Sequence, residues 1–284
     1  MNENNNKKAV EIPPFFYNKN IVNIGIDNAG SVVSLDFNKY PHLLIGGATG
    51  AGKSTILKTI ICGLLKKSEA APAFTSFVFI DLKKVELSTF ESIPGAYFKT
   101  EFSEAEKILK NVVLVINKRF EDLKEKGFTS TKESPHLFSE VFIIIDEFAE
   151  LILQDKKIEK VITRIAQLGR AAGVHLILCT QLPTAKVITN LINVNMSAKI
   201  ALRVETWQNS RAILEIKGAE KLPGVGDAIL KQGINYTRFK AFKTSPEDIK
   251  KVVFEFSEAA KGLKARKEEK LSTIWQKLKA WVFG

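Results

Sequence analysis

An α/β fold with a doubly wound, mostly parallel sheet is predicted by two alternating patterns and one interruption. Short continuous apolar runs alternate with segments whose apolar residues recur at helical spacing. Between the first such run and the first such helix stands "GGATGAGKST", Gly46 to Thr55. Unbroken apolar runs suit strands buried on both faces, and helices between them return the chain so that successive strands point the same way. With 284 residues, 45% hydrophobic and 26% charged, the chain is long enough for a large core and ordinary in composition for a globular protein.

The elements follow in order. Residues 1–20 read as a disordered tail, since "MNENNNKKAV" holds asparagine and lysine where a secretory signal has an apolar core. A hairpin comes next, with "DNAG" turning between Ile21 to Ile26 and Ser31 to Leu35. "HLLIG" then enters the glycine loop as a strand, and "KSTILKTIICGLL" leaves it as a helix with Ile56, Leu57, Ile60, Ile61 and Leu64 on one side. Further strands are expected at "SFVFID" (76–81), "VFIIID" (141–146), "VHLILCT" (174–180) and "AKIALRV" (198–204). One helix, opened by a capping box of Ser103 with Glu106, carries Ile108, Leu109, Val112, Ile116 and Leu123 inward, and another carries Ile158, Ile162, Ile165 and Leu168. "GDAILKQGINYTRFKAF" forms a hairpin around Gly233, and Ser245 with Pro246, Glu247 and Asp248 opens a last helix. A domain over residues 21–248 is expected, with a basic amphipathic helical tail over 249–284 whose stripe is Leu263, Leu271, Ile274, Leu278 and Trp281. Such a helix packs on its own domain or a neighbouring copy, or lies on anionic membrane or a partner.

Composition excludes several classes. The longest apolar-dominated stretch, 141–153, is broken by Asp146, Glu147 and Glu150, so no membrane span is expected and the cytoplasm is the expected location. Cys62 and Cys179 sit in apolar periodic settings, where a small buried hydrophobe fits better than a disulfide or a metal ligand. Lysine and arginine exceed aspartate and glutamate by 42 − 31 = 11. That surplus favours a polyanionic partner, but the charges are scattered and serve solubility equally well.

The motifs decide. "GATGAGKS", Gly47 to Ser54, satisfies G-x-x-x-x-G-K-[ST], the P-loop pattern in which backbone N–H groups and a helix N-terminus surround phosphates. Gly47, Ala48, Thr49, Gly50, Ala51, Gly52, Lys53, Ser54 and Thr55 are therefore expected around a bound ATP, with Lys53 against its β and γ phosphates and the Ser54 hydroxyl on Mg²⁺. Downstream, "VFIIIDEFAEL" delivers Asp146 to the end of a strand, where it can hold the metal's water shell, and Glu147 can orient or deprotonate the attacking water. "VHLILCTQ" ends at Gln181, placed to sense the γ phosphate. A strand added between the P-loop strand and the acidic strand marks a RecA-like P-loop ATPase, and a glutamate beside the metal-binding aspartate marks hydrolysis of water.

From Pro41 to Phe242 the sequence resembles the motor domain of the FtsK/SpoIIIE DNA translocases, within the wider FtsK/HerA group. The resemblance is carried by "PHLLIGGATGAGKS", "FIDLKKVELS", "VFIIIDEFAEL", "ITRIAQLGRAAGVHLILCTQLPTAKVITNLI" and "SRAILEIKGAEKLPGVGDAIL", in family order. It implies a homo-oligomeric ring, commonly a hexamer, with ATP at subunit interfaces and duplex DNA through the pore. It places Arg170 of "GRAAG" on an arginine-finger position that reaches a neighbour's γ phosphate; a helix C-terminal cation facing the dipole is the other reading, and Arg164 is the second candidate. The pore segments depart from the family. Leu182, Asn193 and Trp207 stand where basic residues are common, while Arg211 remains. Lys186 and Gln208 can add phosphate contacts, and Trp207 can pack against sugar, an unpaired base or a neighbouring subunit.

About 40 residues precede the P-loop strand. A motor of this length is expected to serve a plasmid, phage or transposon, or to be recruited by a separate DNA-recognition or membrane partner. Two rivals share the engine: a conjugative coupling or replication-associated motor on single-stranded DNA, and a protein-moving ATPase like those of type VII secretion.

Overall fold

The computed structural model describes residues 20–68, 75–135 and 137–267, with side chains of the last helix described to residue 261. The expected N-terminal tail and the stripe from Leu263 to Trp281 lie outside the described side chains.

The chain begins with strands β1 (Ile21–Asp27) and β2 (Val32–Asp36), then runs β3 (His42–Gly46), helix α1 (Lys53–Ser68), β4 (Thr75–Ile80), β5 (Tyr97–Lys99) and α2 (Phe102–Lys126). β6 (Glu140–Ile145), α3 (Phe148–Gln154), α4 (Lys157–Ala172), β7 (Val174–Thr180), α5 (Asn190–Asn195), β8 (Ala198–Leu202) and α6 (Trp207–Leu214) follow. The hairpin β9 (Asp227–Gln232) and β10 (Asn235–Ala241) leads to α7 (Pro246–Lys267).

All strands join one 10-stranded sheet in the order β2-β1-β10-β9-β8-β3-β7-β6-β4-β5. From β8 to β5 every neighbouring pair is parallel, and from β9 to β2 every pair is antiparallel. β7 fills the place between the P-loop strand β3 and the acidic strand β6, which is the RecA-like arrangement expected from the sequence. The hairpin around Gly233 forms as expected, and β10 continues across to pair with β1, so both hairpins extend the parallel sheet on one side.

Two cores cover the sheet. On one face α1 and α7 bring Ile56, Leu57, Ile60, Ile61, Val252 and Phe256 onto Phe77, Phe79 and Phe142. On the other, α2 and α4 bring Ile108, Leu109, Val112, Ile116, Ile158, Ile162 and Ile165 onto Ile143, Ile145, Leu176 and Leu178. Continuous burial along β3, β7 and β8 explains why their sequences lack alternation. Cys62 and Cys179 are free and buried within this packing, and burial pushes the Cys62 thiol up to about 11.

Two details differ from the sequence reading. α2 begins at Phe102 after an extended Glu101, and no side chain caps it, so the box of Ser103 and Glu106 does not form. Phe102 packs against the core and Glu101 is held by Lys84 at 2.6 Å, which together start the helix before Ser103. At the other end, a boundary at residue 248 falls inside α7. The Ser245 hydroxyl accepts from the Asp248 N–H at 3.1 Å as an N-cap, and Ile249, Val252, Val253 and Phe256 are buried in the domain. No helix among the described residues is long and apolar enough to cross a membrane.

Candidate nucleotide site

The parallel strands end side by side, Gly46 beside Thr180 and Ile80 beside Ile145, so the loops that follow them share one edge of the sheet. The P-loop leaves β3 at that edge and turns into α1. Gly50 and Gly52 have φ of +76° and +104°, values that L side chains rarely adopt, and a Cβ on Gly52 would lie 3.1 Å from the Gly226 nitrogen. The loop is fixed from behind: the Ala48 N–H donates to the Arg203 carbonyl at 2.8 Å, Ala51 N–H to Ala48 at 3.1 Å, and Gly226 N–H to the Ala51 carbonyl at 2.9 Å. Ala48 and Ala51 thus give their N–H groups to protein carbonyls. The N–H groups of Lys53, Ser54 and Thr55 open α1, where a helix has no internal acceptors for them, and with the helix dipole they form a site for an anion.

Lys53 and Asp146 meet inside. The Lys53 Nζ lies 2.7 Å from Asp146 Oδ1 and 3.1 Å from the Asp146 carbonyl, with both side chains about 2 to 3% exposed. Burial by itself lowers the Lys53 pKa, but the charges of Asp146 and Glu147 and the hydrogen bond to Asp146 outweigh it, so the ammonium is held above its ordinary value. Asp146 is itself placed by its N–H, which donates to Ile80 of the adjacent strand at 3.1 Å.

Glu147 is 8% exposed, and its two oxygens differ. Oε2 accepts from the Gln181 backbone N–H at 2.8 Å, whereas Oε1 is buried with no partner. The Gln181 side-chain carbonyl accepts from the Thr49 hydroxyl at 2.8 Å. The tip of the P-loop, the end of β7 and the residue after Asp146 are therefore linked in one chain of hydrogen bonds.

Three features of this edge were not assigned from the sequence. Lys83 pairs with Glu150 at 3.1 Å and feels the charges of Glu147 and Asp146. Asp81, at the end of β4, accepts from the N–H groups of Val85 at 3.0 Å and Leu87 at 2.9 Å, which clamps the loop "LKKVEL". Glu86, inside that clamp, pairs with Lys58 of α1 at 3.0 Å. The signal was present in "FIDLKKVELS", where an aspartate ends a strand at the ligand-binding edge and a glutamate follows five residues later.

The donors suit a hard divalent cation beside phosphate. Ser54 at the start of α1 and Asp146 just after β6 are oxygen donors, the chemistry Mg²⁺ prefers when phosphates and waters complete its shell.

The other sequence candidates lie away from the P-loop. Trp207, Gln208 and Arg211 are exposed on α6, with the Arg211 guanidinium 5.8 Å and the Lys217 ammonium 4.8 Å from the Trp207 ring centre. Lys186 is exposed in the segment between β7 and α5. The two segments are stitched together, because Asn209 Nδ2 donates to the Pro183 carbonyl at 3.0 Å and Asn193 Nδ2 to the Ala212 carbonyl at 2.7 Å. Asn193 also accepts from buried Lys199, so its amide is committed to the fold. α6 reaches the P-loop from beneath: a Cβ on Gly46 would fall 2.4 Å from Ile213 Cδ1. Arg164 and Arg170 are exposed on α4, and Arg170 sits in its last turn, just before the start of β7 and so at the edge opposite the P-loop.

Comparison with known proteins agrees with this architecture. A sequence profile of the FtsK/SpoIIIE family matches residues 16–140 and 129–185. The DNA translocase FtsK of Oceanobacillus iheyensis is 36% identical over 250 residues, covering 81% of this chain and 32% of that protein. The DNA translocase SpoIIIE of Bacillus subtilis is 35% identical over 255 residues, covering 83% and 32%. The chain thus spans about a third of the length of these relatives. Among solved structures, the pCW3 conjugation coupling protein TcpA, in a monomer form with ATPγS, superposes with a TM-score of 0.75 at 30% identity, covering 88% of this chain and 71% of that one. The cytoplasmic domain of the type VII secretion ATPase EccC of Thermomonospora curvata gives 0.74 at 26%, covering 84% and 31%. With a P-loop ATPase fold and relatives matched over most of its length, this chain belongs to the FtsK/SpoIIIE family.

Proposed function

We propose that this chain is the ATP-hydrolysing motor of a DNA translocase, acting in the cytoplasm as a homo-oligomeric ring. The observation that carries the reading is Glu147: a buried carboxylate fixed through Oε2 by Gln181, with Oε1 free of protein partners, directly after the Asp146 that pairs with Lys53. A carboxylate so placed can orient a water and accept its proton. With nucleotide bound, Lys53 would leave Asp146 to neutralise the phosphates, and Ser54 and Asp146 would hold Mg²⁺. That cation would supply positive charge against the charge that develops on the transferred phosphoryl group. Gln181, tied to Thr49 and Glu147, registers whether the γ phosphate is present. Arg170, exposed on α4, reaches the site of a neighbouring subunit and stabilises transition-state charge there, which couples turnover to assembly.

DNA is gripped by Arg211, Lys186, Trp207 and Gln208, all exposed on the two stitched segments, with duplex as the expected cargo. One observation favours a second reading. Leu182, just after β7, and Leu191 and Val194 on α5 are exposed apolar side chains that suit a peptide cargo better than phosphate. ATPase rates measured with duplex DNA, single-stranded DNA and no DNA across a salt series decide between them. Stimulation by DNA that falls steeply with salt supports the translocase, and rates indifferent to both DNA and salt overturn it.

A further inference from the structure

Glu147 is held from outside its own strand. The donor that fixes its Oε2 is the Gln181 N–H, at 2.8 Å, and Gln181 is the first residue after β7, where the segment toward α5 begins. That segment is stiff at its start. Leu182 N–H donates to the Thr180 hydroxyl at 3.0 Å, Pro183 has no N–H and a fixed φ, and Thr184 N–H donates to the Leu182 carbonyl at 2.8 Å. Every backbone donor from Gln181 to Thr184 is therefore committed. The strut ends on α6, where the Pro183 carbonyl accepts from Asn209 Nδ2 at 3.0 Å. Asn209 is fixed in turn: its Oδ1 accepts from the Thr206 hydroxyl at 2.7 Å, and its N–H donates to that same oxygen at 3.2 Å. Trp207 and Arg211 lie two residues to either side of it on α6.

We propose that Asn209 is a positioning residue that couples the cargo helix to the hydrolytic site. A displacement of α6 reaches Glu147 through the Asn209–Pro183 bond, the backbone from Pro183 back to Gln181, and the Gln181–Glu147 bond. The inference rests on the reading that α6 meets DNA and that Glu147 drives hydrolysis. The other stitch, from Asn193 to Ala212, joins α6 to α5 farther along the chain and bypasses Gln181. Substitutions along hydrogen-bonded chains of this kind change the coupling between two sites by about 2- to 30-fold. A residue that only shapes α6 would change how much DNA is needed, not how far DNA raises the rate.

The test measures ATP hydrolysis by the full chain against duplex DNA concentration for wild type, Asn209→Asp and Asn209→Ala. Duplex affinity is measured separately, by fluorescence anisotropy with a non-hydrolysable ATP analogue. Asn209→Asp keeps the size and the bond from Thr206 but sets an oxygen against the Pro183 carbonyl. The expected result is duplex affinity and DNA-free turnover within about twofold of wild type, with the plateau of stimulation lowered about threefold or more. A wild-type plateau overturns the assignment, as does one that is restored by more DNA. Should Asn209→Asp lose DNA-free turnover, Asn209→Ala decides: normal DNA-free turnover with a lowered plateau supports the role, and a wild-type plateau or no turnover overturns it. Wild type that duplex does not stimulate removes the translocase reading, and the coupling with it.

Discussion

The Gln181 backbone N–H holds Glu147 through Oε2 at 2.8 Å and leaves Oε1 buried with nothing to bond. A buried carboxylate oxygen left without a donor is costly to the fold, and it belongs to the residue that directly follows Asp146, the partner of Lys53.

Replacing that oxygen with an amide should stop chemistry and spare binding. Glu147→Gln is expected to lower turnover by about 10²- to 10⁴-fold, because it removes a general base, while a fluorescent ATP analogue binds within a few-fold of wild type. Steady-state hydrolysis and equilibrium titration on the same preparation check both halves.

Lys53 does more than meet phosphate. With no nucleotide it is the counter-ion of buried Asp146, so Lys53→Ala strands a carboxylate and should lower nucleotide-free stability by about 3 kcal/mol, as well as abolishing turnover. The double variant Lys53→Met with Asp146→Asn removes both charges and should recover much of that loss. Urea unfolding of the two variants against wild type measures the difference.

Arg170→Ala should be nearly inactive alone and gain activity in mixed assemblies that contain an excess of Lys53→Ala subunits. In such mixtures an intact P-loop receives its arginine from a neighbour. Activity that rises with the mixing ratio is the expected result, and a flat line removes Arg170 from the site.

A pH effect is built into the opposite edge of the sheet. His42 is 2% exposed, and its Nδ1 accepts from the Leu176 N–H at 3.1 Å, an interaction only the neutral ring can make. Burial, with nearby His175 second, pushes it down to about 3 from an ordinary 6.5. Between those values the unfolded chain binds the proton and the folded chain does not, so stability falls as pH drops from 6.5 toward 3 and is unaffected above 6.5. The slope is at most about 1.4 kcal/mol per pH unit. His42→Gln should flatten urea midpoints measured from pH 8 to pH 4.

The phosphate loop and the acidic strand end were legible because each is local: a few residues in a row state the backbone they need. So was the turn at Gly233. What escaped reading depends on distance in sequence. The Phe102 start of α2 is decided by packing and by Lys84, not by the Ser103 pattern beside it. β5 has 3 residues, too few to show a period. The place of Glu86 appears only when β4 lies beside β6 and its loop reaches over α1. Asn193, read as a missing basic residue, turns out to tie α5 to α6 and to Lys199.

Gly46 ends the strand that feeds the phosphate loop, and it has no room for a methyl group because Ile213 already fills that space. Ile213 belongs to the same helix as Trp207 and Arg211. In the proposed motor, a shift of the loop by even an ångström would push on that helix, since close-packed atoms have no slack in which to lose the movement. The nucleotide loop and the exposed face that carries Trp207 and Arg211 thus share one side chain resting on a bare α-carbon.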